Sequence, residues 1–244
     1  MLDVIGIYND YLKKENKLKL NQRNEQSDGR FSASSAGMCA KKLWFAKNDF
    51  PKRDLDEKTM RLFKLGTLIG NDIEAAMKIH SSENIKVYTE EYLQDDELNI
   101  GGSFDLLIVD STTNKGYLYD YKTCSSYKWK MMFGHLKNRD PNPANNYEFQ
   151  LGTYAMMLNK TKKFCDEIVE MNLIYYNKDT SLTKEKKVDL QYIDFAKKYW
   201  EKAKYIAEKD QEPENQKMVP YYKWECGGTW CIYSDSCNSI YKKS

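Results

Sequence analysis

The chain has 244 residues, of which 41% are hydrophobic and 30% are charged. This composition excludes an intrinsically disordered protein and suffices for one domain with a buried core. The formal net charge of +2 indicates no particular partner, because basic residues along a nucleic-acid groove and acidic residues around a metal can cancel. No stretch reaches the roughly 18 apolar residues of a membrane helix, and the N-terminus lacks the pattern of a secretory leader. We therefore expect a cytoplasmic protein without a membrane partner.

Hydrophobic periodicity predicts alternating blocks of helix and strand. In chain order, helices are predicted over 2–20, around Cys39 to Trp44, over 58–80, over 147–159 and over 195–209. Strands are predicted over 85–93, 98–110, 116–123 and 167–177, with a shorter one near 188–192.

This order predicts an α/β (α+β) fold in which helices flank a mixed central sheet. We expect three parts along the chain. They are an N-terminal helix and loop over 1–30, a core over 31–212, and a cysteine-rich C-terminal segment over 213–244 that packs with the region of Cys39.

Two aspartates and a lysine occupy neighbouring predicted strands. Asp105 falls in the middle of one strand, and the apolar run LLIVD behind it is typical of a buried strand. Asp120 and Lys122 lie two residues apart on the next strand, so period-two geometry places both side chains on one face. The hairpin can therefore bring all three together.

Two carboxylates in one pocket repel each other unless a cation neutralises them. Oxygen ligands favour Mg²⁺ or Mn²⁺, which can polarise a phosphate and activate water. A nearby lysine can stabilise charge that develops on the phosphate. The alternative interpretation is an Asp–Lys pair on a solvated strand face, and Asp105, one hairpin away, argues against it.

The same residues resemble a known family. Gly102-Ser-Phe-Asp105, followed by Asp120-Tyr-Lys122, is similar to the G-x-x-D … (D/E)-x-K signature of the PD-(D/E)XK nuclease superfamily. Gln150-Leu-Gly-Thr-Tyr154 is similar to the Q-x-x-x-Y motif of its RecB-like branch. The resemblance implies a restriction-endonuclease-like core.

The resemblance also implies roles for individual residues. Asp105 and Asp120 would be ligands of Mg²⁺ or Mn²⁺, the main-chain carbonyl of Tyr121 would be a further ligand, and Lys122 would be the catalytic lysine. Gln150 and Tyr154 would support the site or touch DNA. The implied activity is metal-dependent hydrolysis of DNA, by an exonuclease or a single-strand nuclease. The alternatives are a sequence-specific endonuclease and a catalytically weak iron–sulfur subunit for DNA binding or assembly.

The chain departs from the RecB-like pattern on the helix over 58–80. Members of that branch often carry a histidine four residues after a glycine, whereas here Gly66 is followed by Gly70. Glu74 lies one turn further on the same face and is the expected substitute metal ligand, with Asp72 as the weaker candidate. An exposed helix carboxylate is the alternative interpretation of Glu74.

Cys39 and three late cysteines, Cys226, Cys231 and Cys237, suggest a second metal centre. Four thiolates can hold an iron–sulfur cluster or zinc. The set resembles the iron–sulfur nucleases of CRISPR adaptation and of the AddB type, which implies a [4Fe–4S] cluster joining the chain ends. The spacing C-x4-C-x5-C departs from the usual C-x2-C-x5-C, so a cluster, zinc and no metal all stay open.

Basic and aromatic residues alternate after the strand that carries Lys122. Lys128, Trp129 and Lys130 lie there, and Lys42 follows Cys39. Such a pattern suits contact with a DNA backbone and stacked bases, although a solvated basic face with packed rings explains it equally well. The expected partner is DNA, single-stranded or at duplex ends, with recombination or CRISPR-adaptation proteins as further partners.

Overall fold

The computed structural model describes residues 2–134, 145–213, 223–226 and 231–237. Six α-helices lie within these ranges: α1 (Val4–Ser27), α2 (Lys41–Lys47), α3 (Glu57–Lys78), α4 (Ser126–Phe133), α5 (Asn146–Thr161) and α6 (Tyr192–Ala207). Short 3₁₀ turns cover Ala33–Ser35 and Lys223–Cys226. In the ranges that the structure describes, none of the helices has the length and apolar character needed to cross a membrane.

The eight described strands form two mixed sheets. They are β1 (Phe31–Ser32), β2 (Ile85–Thr89), β3 (Tyr92–Asp95), β4 (Ile100–Ser103), β5 (Leu106–Asp110), β6 (Lys115–Cys124), β7 (Glu167–Asn177) and β8 (Thr183–Val188). The larger sheet has the order β2-β5-β6-β7-β8, and the smaller has the order β1-β4-β3. In the larger sheet β6 and β7 run parallel and the other neighbours are antiparallel. The predicted mixed α/β architecture with flanking helices is confirmed.

Two predicted strands are each broken into a pair, and this corrects the expectation that Asp105 lies within a strand. The predicted strand over 85–93 is interrupted at Glu90, whose φ of 53° is incompatible with an extended strand. The predicted strand over 98–110 breaks between β4 and β5, which belong to different sheets. Asp105 therefore lies between β4 and β5, at the junction of the two sheets. Its side chain need not follow the alternation between sheet faces that holds within a strand.

Helix α5 lies between the larger sheet and α6 and forms much of the core. All residues from Glu148 to Leu158 are buried. The helices approach closely at Gly152, where an added Cβ would lie 2.2 Å from the main-chain oxygen of Tyr192. Next to this crossing, the indole N–H of Trp200 donates to the hydroxyl of Thr153 at 2.9 Å. Helix α6 thus fixes the position of α5 from the side opposite the sheet.

Helix α3 lies on the opposite face of β6 from α5. An ideal Cβ at Gly66 would lie 3.6 Å from the hydroxyl of Thr123, and one at Gly70 would lie 4.0 Å from the ring of Tyr121. Both are ordinary van der Waals distances, so α3 packs against the face of β6 that carries Tyr121 and Thr123. The face of β6 that carries Asp120 points towards α5 instead.

Other predicted boundaries are also corrected. Helix α1 continues to Ser27 through the polar run predicted as a loop, and Cys39 precedes α2 instead of lying within it. The short strand predicted near 188–192 is β8, which ends at Val188. Helix α4 was not predicted.

Candidate active site

The centre of the site is the pair formed by Asp120 and Lys122 on β6. The Nζ atom of Lys122 lies 2.5 Å from Oδ2 of Asp120. Asp120 is only 1% exposed, whereas the neighbouring Tyr121 points towards α3. The alternation of β6 thus places the Asp–Lys pair on the face covered by α5, so the interpretation as a solvated surface pair is wrong.

Asp105 reaches the same point from the junction of the two sheets. Its Oδ2 atom accepts a hydrogen bond of 2.8 Å from the main-chain N–H of Tyr121, the residue after Asp120. The adjoining ladder pairs Leu106 with Tyr119, so Asp105 follows in register beside Asp120. The structure therefore brings Asp105, Asp120 and Lys122 together, as the hairpin pattern predicted.

The charges of Lys122 and Asp105 both affect the ionisation of Asp120. Burial raises the pKa of Asp120 to about 7, the ammonium of Lys122 opposes this shift, and the negative charge of Asp105 adds to it. Burial lowers the pKa of Lys122, but the carboxylates of Asp120 and Asp105 raise it by more, so the lysine keeps its charge. Asp105 thus lies close enough to act on the Asp120–Lys122 pair, and a cation bound there would favour the ionised form of Asp120.

Gln150 and Tyr154 connect α5 to both sequence motifs. The Nε2 atom of Gln150 donates a buried hydrogen bond of 2.9 Å to Oδ1 of Asp120. Tyr154, one turn later, is 3% exposed, and a Cβ added at Gly102 would lie 2.9 Å from its hydroxyl. The glycine of G-x-x-D therefore leaves room for the tyrosine of Q-x-x-x-Y.

Replacing Gln150 by leucine should weaken Mn²⁺ binding by about 10- to 100-fold, the usual effect of losing a partner that orients a metal ligand. The variant leaves Oδ1 of buried Asp120 without its described donor, so the carboxylate is free to rotate. Titration calorimetry measures the affinity, and Gln94→Leu at the exposed position of β3 is the matched control. An affinity equal to that of the wild type would contradict this role.

Glu74 is buried, although most of α3 is exposed. Its side chain is one of two buried in the helix, and burial raises its pKa. The negative charge of Asp105 raises the pKa of Glu74 further, whereas a hydrogen bond with Thr89 lowers it. Asp72 is exposed. The alternative interpretation of Glu74 as an exposed helix carboxylate is therefore wrong, and its location beside Asp105 is compatible with the predicted metal site.

The donor set at β6 suits a hard divalent ion. Mg²⁺ is commonly held by one or two carboxylates with water in its remaining positions, and Asp105 and Asp120 supply two carboxylates at this point. Within the described ranges, no three His, Cys, Asp or Glu side chains form a group that could hold a metal ion. The acidic donors described at this point are therefore the two carboxylates of Asp105 and Asp120.

The residues predicted to contact DNA lie in two different regions of the structure. The ammonium of Lys128 lies 4.3 Å from the ring centroid of Tyr147 and 3.3 Å from its hydroxyl, close to Lys122. Trp129 packs edge-on against Phe133 at 4.9 Å between ring centroids, so packing explains this ring. Lys130 is exposed.

Lys42 lies elsewhere, at 3.7 Å from a carboxylate oxygen of Glu225 beside Cys39. Its described partner is thus a buried acid in the cysteine region, not a residue of the carboxylate site.

Two residues near the site were missed by sequence reasoning. The ring centroid of Tyr147 lies 4.9 Å from the ammonium of Lys122. The charge of Glu90, at the break between β2 and β3, raises the pKa of Asp120 after the larger effects of burial and Asp105. Tyr147 could have been found from its spacing, because it precedes Gln150 by one helical turn. Glu90 carried no such signal, since it lay within a predicted strand.

The cysteines lie in a separate region of the molecule. The main-chain N–H of Cys39 donates to Oε2 of Glu225 at 2.8 Å, which ties the C-terminal segment to the loop before α2. Burial raises the pKa of Cys39 to about 11, and the charges of Glu225 and Cys226 add to this. Cys226 and Cys237 in turn raise the pKa of Cys231, after the larger effect of burial. The four thiols thus share one region, but the described side chains do not form a metal site there.

Comparison with known proteins identifies a family and a shared fold. The model of the PD-(D/E)XK nuclease superfamily matches residues 21–238. No match was found among curated proteins. The crystal structure of SSO0001 aligns with a TM-score of 0.58 and 16% identity, over 95% of this chain and 96% of that chain, which shows a shared fold. The crystal structure of an alkaline exonuclease from Laribacter hongkongensis aligns with a TM-score of 0.42 and 13% identity, over 74% of this chain and 88% of that chain.

Proposed function

We propose that this chain, which belongs to the PD-(D/E)XK nuclease superfamily, is a deoxyribonuclease that depends on Mg²⁺ or Mn²⁺. The observation that carries the proposal is the convergence of Asp105, Asp120 and Lys122, in which Lys122 pairs with Asp120 and Asp105 accepts from the adjacent main-chain N–H of Tyr121. Superfamily membership supplies the reaction class, and this constellation supplies the groups that phosphodiester hydrolysis requires.

Each residue has a proposed task. Asp105 and Asp120 would hold the divalent ion together with the main-chain carbonyl of Tyr121. Glu74, whose carboxyl group is affected by the charge of Asp105, would be a further metal ligand. When bound, the ion supplies Lewis-acid polarisation of the phosphate and a lowered pKa for its water. Lys122 would stabilise negative charge on the phosphate oxygens, since its charge is retained.

The residues of α5 would keep these groups in place. Gln150 orients Asp120 through the hydrogen bond to Oδ1, and Tyr154 closes the site beside Gly102. Lys128 would contact the DNA backbone near Lys122, while Lys130 offers an exposed charge on the same helix. Superfamily membership makes DNA the partner to test first.

The test is cleavage of labelled DNA by the full chain. Single-stranded and duplex DNA are incubated with Mn²⁺, with Mg²⁺ and with EDTA, and the products are separated by length. We expect cleavage that requires the divalent ion. Equal amounts of product with EDTA and with either metal would overturn the proposal.

The finer assignment is an exonuclease or single-strand nuclease of the RecB-like branch. It is supported by the sequence motif Gln150-x-x-x-Tyr154, since the same helix places Gln150 on Asp120. Progressive shortening from an end supports this assignment, whereas discrete fragments of a closed circular substrate would indicate an endonuclease instead.

We also propose that Cys39, Cys226, Cys231 and Cys237 bind a [4Fe–4S] cluster. The sequence pattern supports this proposal, as does the region that the four thiols share. The hydrogen bond from the main-chain N–H of Cys39 to Glu225 joins the loop before α2 to the C-terminal segment without a metal ion. Zinc is the alternative occupant for four thiolates.

Anaerobic purification should yield a brown protein that contains iron and acid-labile sulfide. Cys39→Ala should lose both and unfold at a lower temperature, because the link between the chain segments is weakened. Cys165→Ala is the control, since Cys165 is buried just before β7, beside Gly116 of β6. A colourless wild-type protein with stoichiometric zinc would contradict the cluster.

A further inference from the structure

Tyr147 contacts both lysines of the active site and lies outside the motifs that identify the family. Its ring centroid lies 4.9 Å from the Nζ atom of Lys122 and 4.3 Å from that of Lys128. We propose that Tyr147 is a positioning residue whose ring holds the ammonium of Lys122 when a divalent ion occupies Asp120. The inference rests on the proposed function, because it presupposes that Asp120 binds the metal.

The need for such a residue follows from competition at Asp120. One carboxylate oxygen is 2.5 Å from the ammonium of Lys122, and the other accepts from Gln150 at 2.9 Å. A divalent ion at this carboxylate would repel the ammonium at short range. Lys122 therefore needs a second favourable location close by, from which it can still reach the phosphate.

The ring of Tyr147 provides that location. Aromatic faces attract cations within about 6 Å of the centroid, and the attraction strengthens where solvent is restricted. Lys122 is already within this distance, and its side chain is only 16% exposed. A small rotation of the lysine would thus exchange the carboxylate for the ring without moving the ammonium into bulk water.

Helix α5 aligns the ring with the rest of the site. Tyr147 and Gln150 lie three residues apart and so share one helix face. Gln150 binds Asp120 while Tyr147 contacts Lys122, so one helix turn serves both members of the Asp–Lys pair. The ring is oriented in turn by Lys128, whose ammonium lies 3.3 Å from the tyrosine hydroxyl.

A double-mutant cycle on Mn²⁺ affinity tests this role. We expect Tyr147→Leu to weaken Mn²⁺ binding by about tenfold, the equivalent of a well-shielded cation–π contact. In a Lys122→Met background the same change should alter the affinity less than about twofold, because no ammonium competes for Asp120. Tyr147→Phe keeps the ring and should recover most of the loss. Lys122→Gln replaces Lys122→Met if the latter folds poorly.

The control is Tyr205→Leu on α6. The ring of Tyr205 lies 5.3 Å from the ammonium of Lys209, which makes it an exposed cation–π pair outside the active site. An equal loss of affinity from Tyr147→Leu in both backgrounds would overturn the inference, since the ring would then act by packing alone. So would wild-type affinity in Tyr147→Leu. A wild-type chain that neither binds Mn²⁺ nor cleaves DNA would instead overturn the proposed function, and this inference with it.

Discussion

Replacing Lys122 by methionine should lower the turnover of DNA cleavage by about 10²- to 10³-fold, the usual cost of removing one group that stabilises developing charge. The ammonium lies on Asp120 and is kept charged by two carboxylates, so it is placed to neutralise a phosphate held at the same point. Mn²⁺ binding should persist or strengthen, because the competing cation is gone. Single-turnover cleavage at saturating Mn²⁺ and titration calorimetry measure the two effects separately.

Asp120→Asn is the informative companion, because it should lose Mn²⁺ binding and cleavage together. Lys187→Met on β8 is the matched lysine control, since Lys187 is exposed and pairs with Glu170. Wild-type turnover by the Lys122 variant would remove the lysine from the mechanism. Wild-type Mn²⁺ affinity in Asp120→Asn would remove that carboxylate from the metal site.

The local part of the site could be predicted from the sequence. Spacings of two residues on a strand and four on a helix fix which side chains share a face, so the pairing of Asp120 with Lys122 followed directly. The proximity of Asp105 to Asp120 was also predicted from the hairpin. However, Asp105 was expected within one strand over 98–110, whereas it lies between β4 and β5. Glu90 could not be found this way, because its location depends on a left-handed residue between two strands of different sheets.

The fold shows the same division between local and tertiary information. The long periodic segments that became α3, α5 and β7 were predicted close to their observed bounds. Alternation is the same whether a run of residues forms one strand or passes from one sheet to the next, so the splitting at Asp105 had no local signature. The end of α1 was missed because its last turns are polar, and residues such as glutamine, arginine and glutamate favour helix by their own propensity.

Replacing Gly152 by alanine should destabilise the protein by about 1–3 kcal/mol, the usual range for overpacking. The added Cβ would lie 2.2 Å from the main-chain oxygen of Tyr192 and 2.6 Å from its carbonyl carbon. The clashing atoms belong to the main chain, which cannot relieve the clash by changing rotamer as a side chain can. Helices α5 and α6 must therefore separate. For a chain of this size the expected fall in melting temperature is about 2–12 °C, measured by circular dichroism.

The matched control is Gly66→Ala on α3, where the added Cβ would meet Thr123 at an ordinary 3.6 Å. Alanine there should be neutral or stabilising, because it favours helix more than glycine does. Since Gly152 lies between Gln150 and Tyr154 on α5, a shift of this helix also disturbs the hydrogen bond between Gln150 and Asp120. Gly152→Ala should therefore weaken Mn²⁺ binding even at temperatures where it remains folded. A variant as stable as the wild type would show that the two helix backbones are not in contact at this glycine.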